Sequence, residues 1–401
     1  SEYTLFMQKF FTLNDLDVKG KRVLVRVDFN VPLDKDGNVE DAKRIELSVP
    51  TINYLLEKGS RQIIIMTHVG RPKNNEKNLQ TDKIAEKLES LLNKNVAKVD
   101  GWSNIPGSKL VMLENLRFNP AEKSKNQEDR DIFGKQLASL ADIFVQDAFS
   151  NCHRDHASMT SVPKYLPSCA GLSVGKEIEL LSRAITNPKK PLVVIFGGLK
   201  ADKLNAMINI MEKADTILVA GALAFTLLKA KGIEIGNSKI DNEGIDSLSK
   251  IVEKVNSSSK VKLPVDAVIA DKFAADANSK NVDVSAIKKG WMALDIGEKT
   301  VRQYKEALEK AKTIAWFGPI GVYEFEKFAQ GTKELGNVMA SLTKKGVTTI
   351  VGGGDSAGAV ESLGLANDMT LVSSGGGASL EFFEGKKLPG VEALEKSYSS
   401  F

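Results

Sequence analysis

Short β-branched runs alternate with amphipathic helical stretches along the whole of this 401-residue chain. That alternation is the mark of parallel α/β sheets, where each strand needs a crossover before the next can pair. Strands are expected at 22–27, 62–67, 109–113 and 142–146 in the first half. In the second half they are expected at 191–196, 216–220, 267–270, 313–317, 348–351 and 370–373. Between them, 42–58, 81–93, 130–141, 203–214 and 300–310 carry apolar residues at helical spacing. A chain of this length supports two cores rather than one. Residues 174–186 read as a helix, which Asn187-Pro188-Lys189-Lys190-Pro191 ends before the chain restarts. The expected fold is therefore α/β, with two doubly wound parallel-sheet (Rossmann-like) domains. They cover 1–173 and 191–385, joined by a hinge helix and linker at 174–190.

Composition narrows the partners. The formal charge of +4 is small for this size, and no block of Lys and Arg points to nucleic acid. The longest apolar runs are strand-sized, so no membrane span is expected. The first residues hold no basic region followed by an apolar stretch, so no export signal is expected. Cys152 and Cys169 are too few for a disulfide framework, which favours a reducing cytoplasm.

Ligands of an open α/β sheet bind outside the carboxyl ends of its strands. The residues there differ between the halves. After the first-half strands come Asp28 and Asn30, His68 and Arg71, Arg117, and Asp147 leading into His153-Arg154. Eight of the ten arginines precede residue 160, and all three histidines stand within three residues of an arginine. Arginine's planar fork suits carboxylate and phosphate. After the second-half strands come Gly197-Gly198 with Lys200, Gly221, Gly318 with Gly321, Gly352-Gly353-Gly354-Asp355, and Gly375-Gly376-Gly377. Glycine turns entering helices let backbone amides approach an anion directly. Asp355, beside such a turn, is the expected Mg²⁺ ligand, since magnesium takes one or two carboxylates and completes its shell with phosphate and water. One half thus offers Arg and His, and the other offers amides.

Other chemistries lack their parts. His153-Arg154-Asp155 imitates a protein-kinase catalytic loop without the downstream Asn or a D-F-G. There is no Walker A motif. Cys152 and His156 have no further partners at thiol-protease or zinc spacing. No G-x-G-x-x-G with a following acidic partner supports a nicotinamide enzyme.

Taken together, VLVRVDFNVP (23–32), THVGRP (67–72), LENLRF (113–118), QDAFSNCHRDHAS (146–158), FGGLKADK (196–203), GPIGVYEF (318–325), VGGGDSAG (351–358) and GGGASLEFFEGKKLPGVEAL (375–394) resemble the phosphoglycerate kinase family. The resemblance covers nearly the whole chain. It implies a kinase that exchanges a phosphoryl group between 1,3-bisphosphoglycerate and ADP, giving 3-phosphoglycerate and ATP. Asp28, Asn30, Arg44, His68, Arg71, Arg117 and Arg154 would hold the metabolite. Gly198, Gly221, Pro319 and Glu324 would hold the nucleotide, with Glu324 at the ribose, and Gly353, Gly354, Ser356 and Gly375 to Gly377 would meet its phosphates. Asp355 would carry Mg²⁺. Arg44, Lys200 and Lys203, with Gly354 and Gly377, would stabilise the migrating group. The resemblance also implies a cytoplasmic monomer whose tail, 386–401, returns to the first domain, and a cleft that closes before transfer.

Two departures stand out. The family pattern K-x-x-x-K is here Lys200 and Lys203, one residue shorter, which on a helix start turns the second lysine by about 100°. The family's W-N-G-P is here Trp316-Phe317-Gly318-Pro319. An aromatic ring in place of an amide is expected to alter local nucleotide contacts. A slow or non-catalytic relative acting as a sensor is the second reading these departures allow.

Overall fold

The computed structural model describes residues 9–198, 200 and 203–401. It divides into two compact units, one ending at Glu179 and including Lys387–Phe401, the other Leu180–Lys386. The chain passes from one to the other inside the helix Leu172–Thr186.

The strands of the first unit are β1 (Phe11–Thr12), β2 (Arg22–Val27), β3 (Gln62–Met66), β4 (Ala97–Lys98), β5 (Leu110–Met112), β6 (Ile143–Asp147) and β7 (Ser168–Ala170). They lie in the order β1-β7-β6-β2-β3-β5-β4, all parallel. Helices cover both faces, so β2 is buried at nearly every position rather than at alternate ones. Val23, Val25 and Val27 pack on one face with Ile45, Ile52 and Leu55 of the helix Lys43–Glu57. Leu24 packs on the other with Phe133 and Leu137 of the helix Gln127–Ala138. From β2 the chain winds outward through β3 to β5, then returns to set β6 on the opposite side of β2. The topological switch point therefore lies between the carboxyl ends of β2 and β6.

The second unit repeats this logic. β8 (Leu192–Phe196), β9 (Thr216–Val219) and β10 (Val261–Lys262) lie on one side of β14 (Thr313–Phe317), and β15 (Thr348–Gly352) and β16 (Leu371–Val372) on the other. The parallel order β10-β9-β8-β14-β15-β16 puts the switch point between β8 and β14.

The run at 267–270 does form a strand, but outside the parallel sheet. β11 (Asp266–Ala270) pairs antiparallel with β12 (Ser279–Asp283) and with β13 (Met292–Ile296). The physical reason is chain length. Only a few residues part β10 from β11, and a parallel crossover needs a dozen or more. β12 escaped a sequence reading because its residues, SKNVD, are polar and mostly exposed.

The last helix, Pro389–Ser400, is packed on the first unit. Leu388, Val391 and Leu394 are fully buried. Gly390 N donates to Cys152 O at 2.8 Å, and Ser397 Oγ accepts from Ser168 N at 3.1 Å. Among the described residues no helix is long and apolar enough to cross a membrane.

Candidate active site

At the first switch point Asp28 follows β2 and is nearly buried. Its Oδ2 accepts from Arg44 Nη1 at 3.0 Å and from Ser150 Oγ, a residue carried just beyond β6. Arg44 Nη1 also donates to Asn30 O at 3.1 Å. Asn30 Oδ1 accepts from Gly70 N at 2.8 Å, so its side chain fixes the turn that presents Arg71. Arg117 Nη1 donates to Gly70 O at 2.7 Å from the turn after β5. One hydrogen-bonded chain therefore joins the ends of β2, β3, β5 and β6 through Asp28, Asn30, Arg44 and Arg117. Arg71 and Arg154 are exposed at its margin.

The charge here is one-sided. Arg117 is lowered by burial and by Arg26, Arg154 and Arg71, with Glu122 opposing. His156 is pushed down to about 3 by burial and then by Arg26, Arg117, Lys123 and Arg154. His68 is held well below the usual imidazole range by burial, Arg26, Arg117, His156 and Arg44. Arg117 Nε, His153 Nδ1 and His156 Nδ1 are buried without a hydrogen-bond partner. Cations crowded this closely, with polar atoms left unmet, fit an anionic ligand.

In the second unit the turn after β8 meets the turn after β14. Gly198 N donates to Pro319 O at 3.0 Å, and Gly221 N to Ile320 O at 2.9 Å. At Gly221 φ is +64°, and a Cβ there would stand 2.6 Å from Gly198 N and 2.7 Å from Pro319 O, so only glycine fits. Lys203 opens the helix Lys203–Met211, and its Nζ donates to Gly197 O at 3.1 Å. The ammonium thus lies over the meeting point of the two turns. Lys200 is exposed. Of the shortened loop, residues 199, 201 and 202 lie outside the described residues.

Gly353, at φ +96°, caps the helix Gly354–Ser362. Asp355 is exposed in its first turn, where a carboxylate and the helix N-terminus favour each other. The glycine turn at 375–377 lies alongside, because β15 pairs with β16 and Ser373 N donates to Val351 O at 2.8 Å. Ser356 is fully buried, and its Oγ accepts from Gly318 N at 2.6 Å. It ties the β15 turn to the β14 turn. Burial, and then the charges of Glu324, Asp355 and Glu361, push the Tyr323 hydroxyl up. Among the described residues no three His, Cys, Asp or Glu side chains form a metal-binding cluster. A single exposed carboxylate beside phosphate-binding amides still suits magnesium, which leaves most of its shell to phosphate and water.

Four features escaped the sequence reading of the site. Ser150 bonds Asp28, and only the pairing of β6 with β2 brings it there. Arg26 is wholly buried behind His68. A charged residue inside an otherwise apolar strand was the available signal. His153 and His156 stand beside Arg154 in the sequence, but only the fold shows their Nδ1 atoms buried and unmet. Phe273 is half exposed, with its ring 5.3 Å from Phe325, next to Glu324. Phe317 differs from expectation: its ring is buried, 6.0 Å from Phe196 and 5.2 Å from Phe383.

Comparison with known proteins agrees with this geometry. The family description "Phosphoglycerate kinase" matches residues 13–386. The chain is 45% identical over 400 residues to the phosphoglycerate kinase of Synechococcus elongatus, covering 96% of this chain and 98% of that protein. It is 45% identical over 396 residues to the cytosolic enzyme of Nicotiana tabacum, with the same coverage. The solved structure of phosphoglycerate kinase from Coxiella burnetii superposes with a TM-score of 0.84 at 36% identity, over 97% of this chain and 99% of that one. With the family matched across most of its length and both switch points furnished as described, this chain belongs to the phosphoglycerate kinase family.

Proposed function

We propose that the chain catalyses the reversible transfer of a phosphoryl group between 1,3-bisphosphoglycerate and ADP, yielding 3-phosphoglycerate and ATP. The observation that carries this reading is the crowded, under-satisfied cationic site at the β2/β6 switch point, in a chain of this family. Phosphoryl transfer needs little covalent help from protein; it needs in-line placement and positive charge around the migrating group. An oxygen of the ADP β-phosphate attacks the acyl phosphate as the metabolite's carboxylate leaves.

In this reading Asp28, Asn30, Arg44, His68, Arg71, Arg117 and Arg154 hold the metabolite, joined by His153 and His156. Gly198, Gly221, Pro319 and Glu324 bind the nucleotide, and exposed Phe273 offers its base a stacking face. Gly353, Gly354 and Gly377 present amides to the phosphates, while Ser356 holds the Gly318 turn in place. Lys200 and Lys203, with Arg44, balance the charge of the transferring group. Asp355 would hold Mg²⁺, which supplies charge neutralisation on the nucleotide phosphates. The two ligand sets belong to different units, so a closing step precedes transfer and keeps water from the phosphoryl group. The protein acts as a cytoplasmic monomer.

The test is a coupled assay of ATP formation from 1,3-bisphosphoglycerate and ADP. Lys203→Ala is expected to lower kcat by about 10²-fold or more, as losing one preorganised charge typically does. Arg44→Ala is expected to lower kcat/KM. Binding of both ligands without turnover by the wild type would sink the kinase reading and favour a sensor. Wild-type rates in Lys203→Ala would remove that lysine from the catalytic set.

A further inference from the structure

Behind His68 stands a group that the reaction itself does not use. Arg26 lies within β2, fully buried, where a charge persists only if paired and hydrogen-bonded. Its Nε donates to Ser158 Oγ at 2.9 Å, and its Nη1 donates to the Val27 carbonyl. Its Nη2 lies 3.0 Å from Nδ1 of His68. The counter-charge is Glu122, also fully buried, which accepts from Ser158 N and Ser158 Oγ at 2.7 Å each.

A guanidinium has donors and no acceptor. His68 Nδ1 must therefore be the acceptor, and the ring proton sits on Nε2. Nε2 meets no protein acceptor among the described residues. The ionisable groups facing the ring are Arg26 from β2, Arg117 from the turn after β5, His156 from the loop after β6, and Arg44 from the helix Lys43–Glu57. With burial foremost, all of them disfavour the imidazolium.

We propose that Arg26 is a positioning residue that holds His68 with Nδ1 as acceptor and Nε2–H as donor to the bound anionic metabolite, itself anchored by the Ser158–Glu122 pair. This rests on the metabolite-binding reading of His68 above. It makes His68 a neutral, directional donor in a site whose charge comes from arginine. Anion binding through His68 then stays constant over the pH range in which an ordinary histidine would titrate.

The test is nitrogen-15 imidazole NMR on the full chain, whose three histidines give three spin systems, with His68→Gln for assignment. In the wild type, His68 Nδ1 should resonate as an unprotonated acceptor and Nε2 as protonated, unchanged from about pH 5.5 to 8. In Arg26→Met the ring should lose its fixed tautomer, with Nδ1 and Nε2 sharing the proton, while burial, Arg117, His156 and Arg44 still disfavour the imidazolium. KM for 3-phosphoglycerate should rise roughly tenfold, the usual loss for one hydrogen bond to a charged group, while kcat changes little. Arg26→Lys, which keeps the charge without the fork, should recover the rise only in part. Because Arg26→Met strands Glu122, Arg26→Met/Glu122→Gln is measured beside it and should show the same free ring. A wild-type His68 that carries its proton on Nδ1, or that titrates near 6.5, overturns the proposal. So does a folded double variant with the wild-type tautomer and KM. The NMR readout does not need turnover, so a locked ring in a chain that makes no ATP would overturn the reaction and leave the positioning role standing.

Discussion

Phe317 shows how a residue's identity and its direction carry different information. It follows Trp316 at the end of β14, where the parallel pairing with β8 and β15 sends its side chain into the layer holding Phe196 and Phe383. A Cβ on Gly352 would stand 2.8 Å from the Phe317 ring at Cδ1, so the neighbouring glycine is part of the same fit. The ring therefore acts on the nucleotide turns only through packing. Phe317→Asn would leave a cavity and bury an amide. It is expected to cost about 3 kcal/mol or more, read as a lower urea midpoint at unchanged slope. An unchanged midpoint with an altered KM for ATP would mean that the ring faces the ligand after all. Most of the site was legible at this scale. Asp28, His68, Arg117, Gly198 and Asp355 each follow an apolar run whose end is visible in the chain. Arg26 and Ser150 were not, because their partners Glu122, His68 and Asp28 come from segments far away in sequence.

Elements were legible where the hydrophobic period was strong, and less so where a short connection decided the pairing, as between β10 and β11. The helix Leu172–Thr186 begins two residues before the start the sequence pattern suggests, and what fixes that start is Asp147 at the end of β6. Ser173 N donates to Asp147 Oδ1 at 3.2 Å, and Leu172 N to Thr51 Oγ1 at 3.1 Å, so this helix and the Arg44-bearing helix Lys43–Glu57 share one anchor. Burial pushes the Asp147 carboxyl up to about 7, against the pull of Ser48, Thr51 and the amides of Ser173 and Val174. Its Oδ2 is buried without a partner, which also disfavours the charged form. In the unfolded chain the same group titrates near 3.9. Below about pH 4 both states hold the proton and nothing is lost. As pH rises to about 7 only the folded state still holds it, so Asp147 costs progressively more stability across that window. Asp147→Asn keeps an acceptor for Ser173 N and removes the titration. Its melting temperature relative to wild type should climb between about pH 4 and pH 7 and level off above, and a difference that is flat across that window would contradict this assignment.

At the scale of the whole molecule, the path of the chain makes the two units unequal. Leu180–Lys386 is one continuous stretch, whereas the other unit is completed only by Lys387–Phe401. The helix Pro389–Ser400 brings Leu388, Val391 and Leu394 into full burial, and Tyr398 sets its ring 4.7 Å from Phe11. Each large apolar side chain buried contributes about 1.5–3 kcal/mol, so three are worth on the order of 5 kcal/mol. That is comparable to the whole stability of a typical domain, about 5–15 kcal/mol. Removing the helix also strands Cys152 O and Ser168 N, whose partners are Gly390 and Ser397. A chain truncated after Lys386 should therefore lose hydrogen-exchange protection at β6 and β7 while β8 and β14 keep theirs. The loss should reach β2, because β6 and β2 exchange ladder bonds along their full length and open together. Retained protection at β6 in the truncated chain would show that the first unit closes its core without the tail. In that case the return of the chain would have to be explained by the reaction rather than by folding.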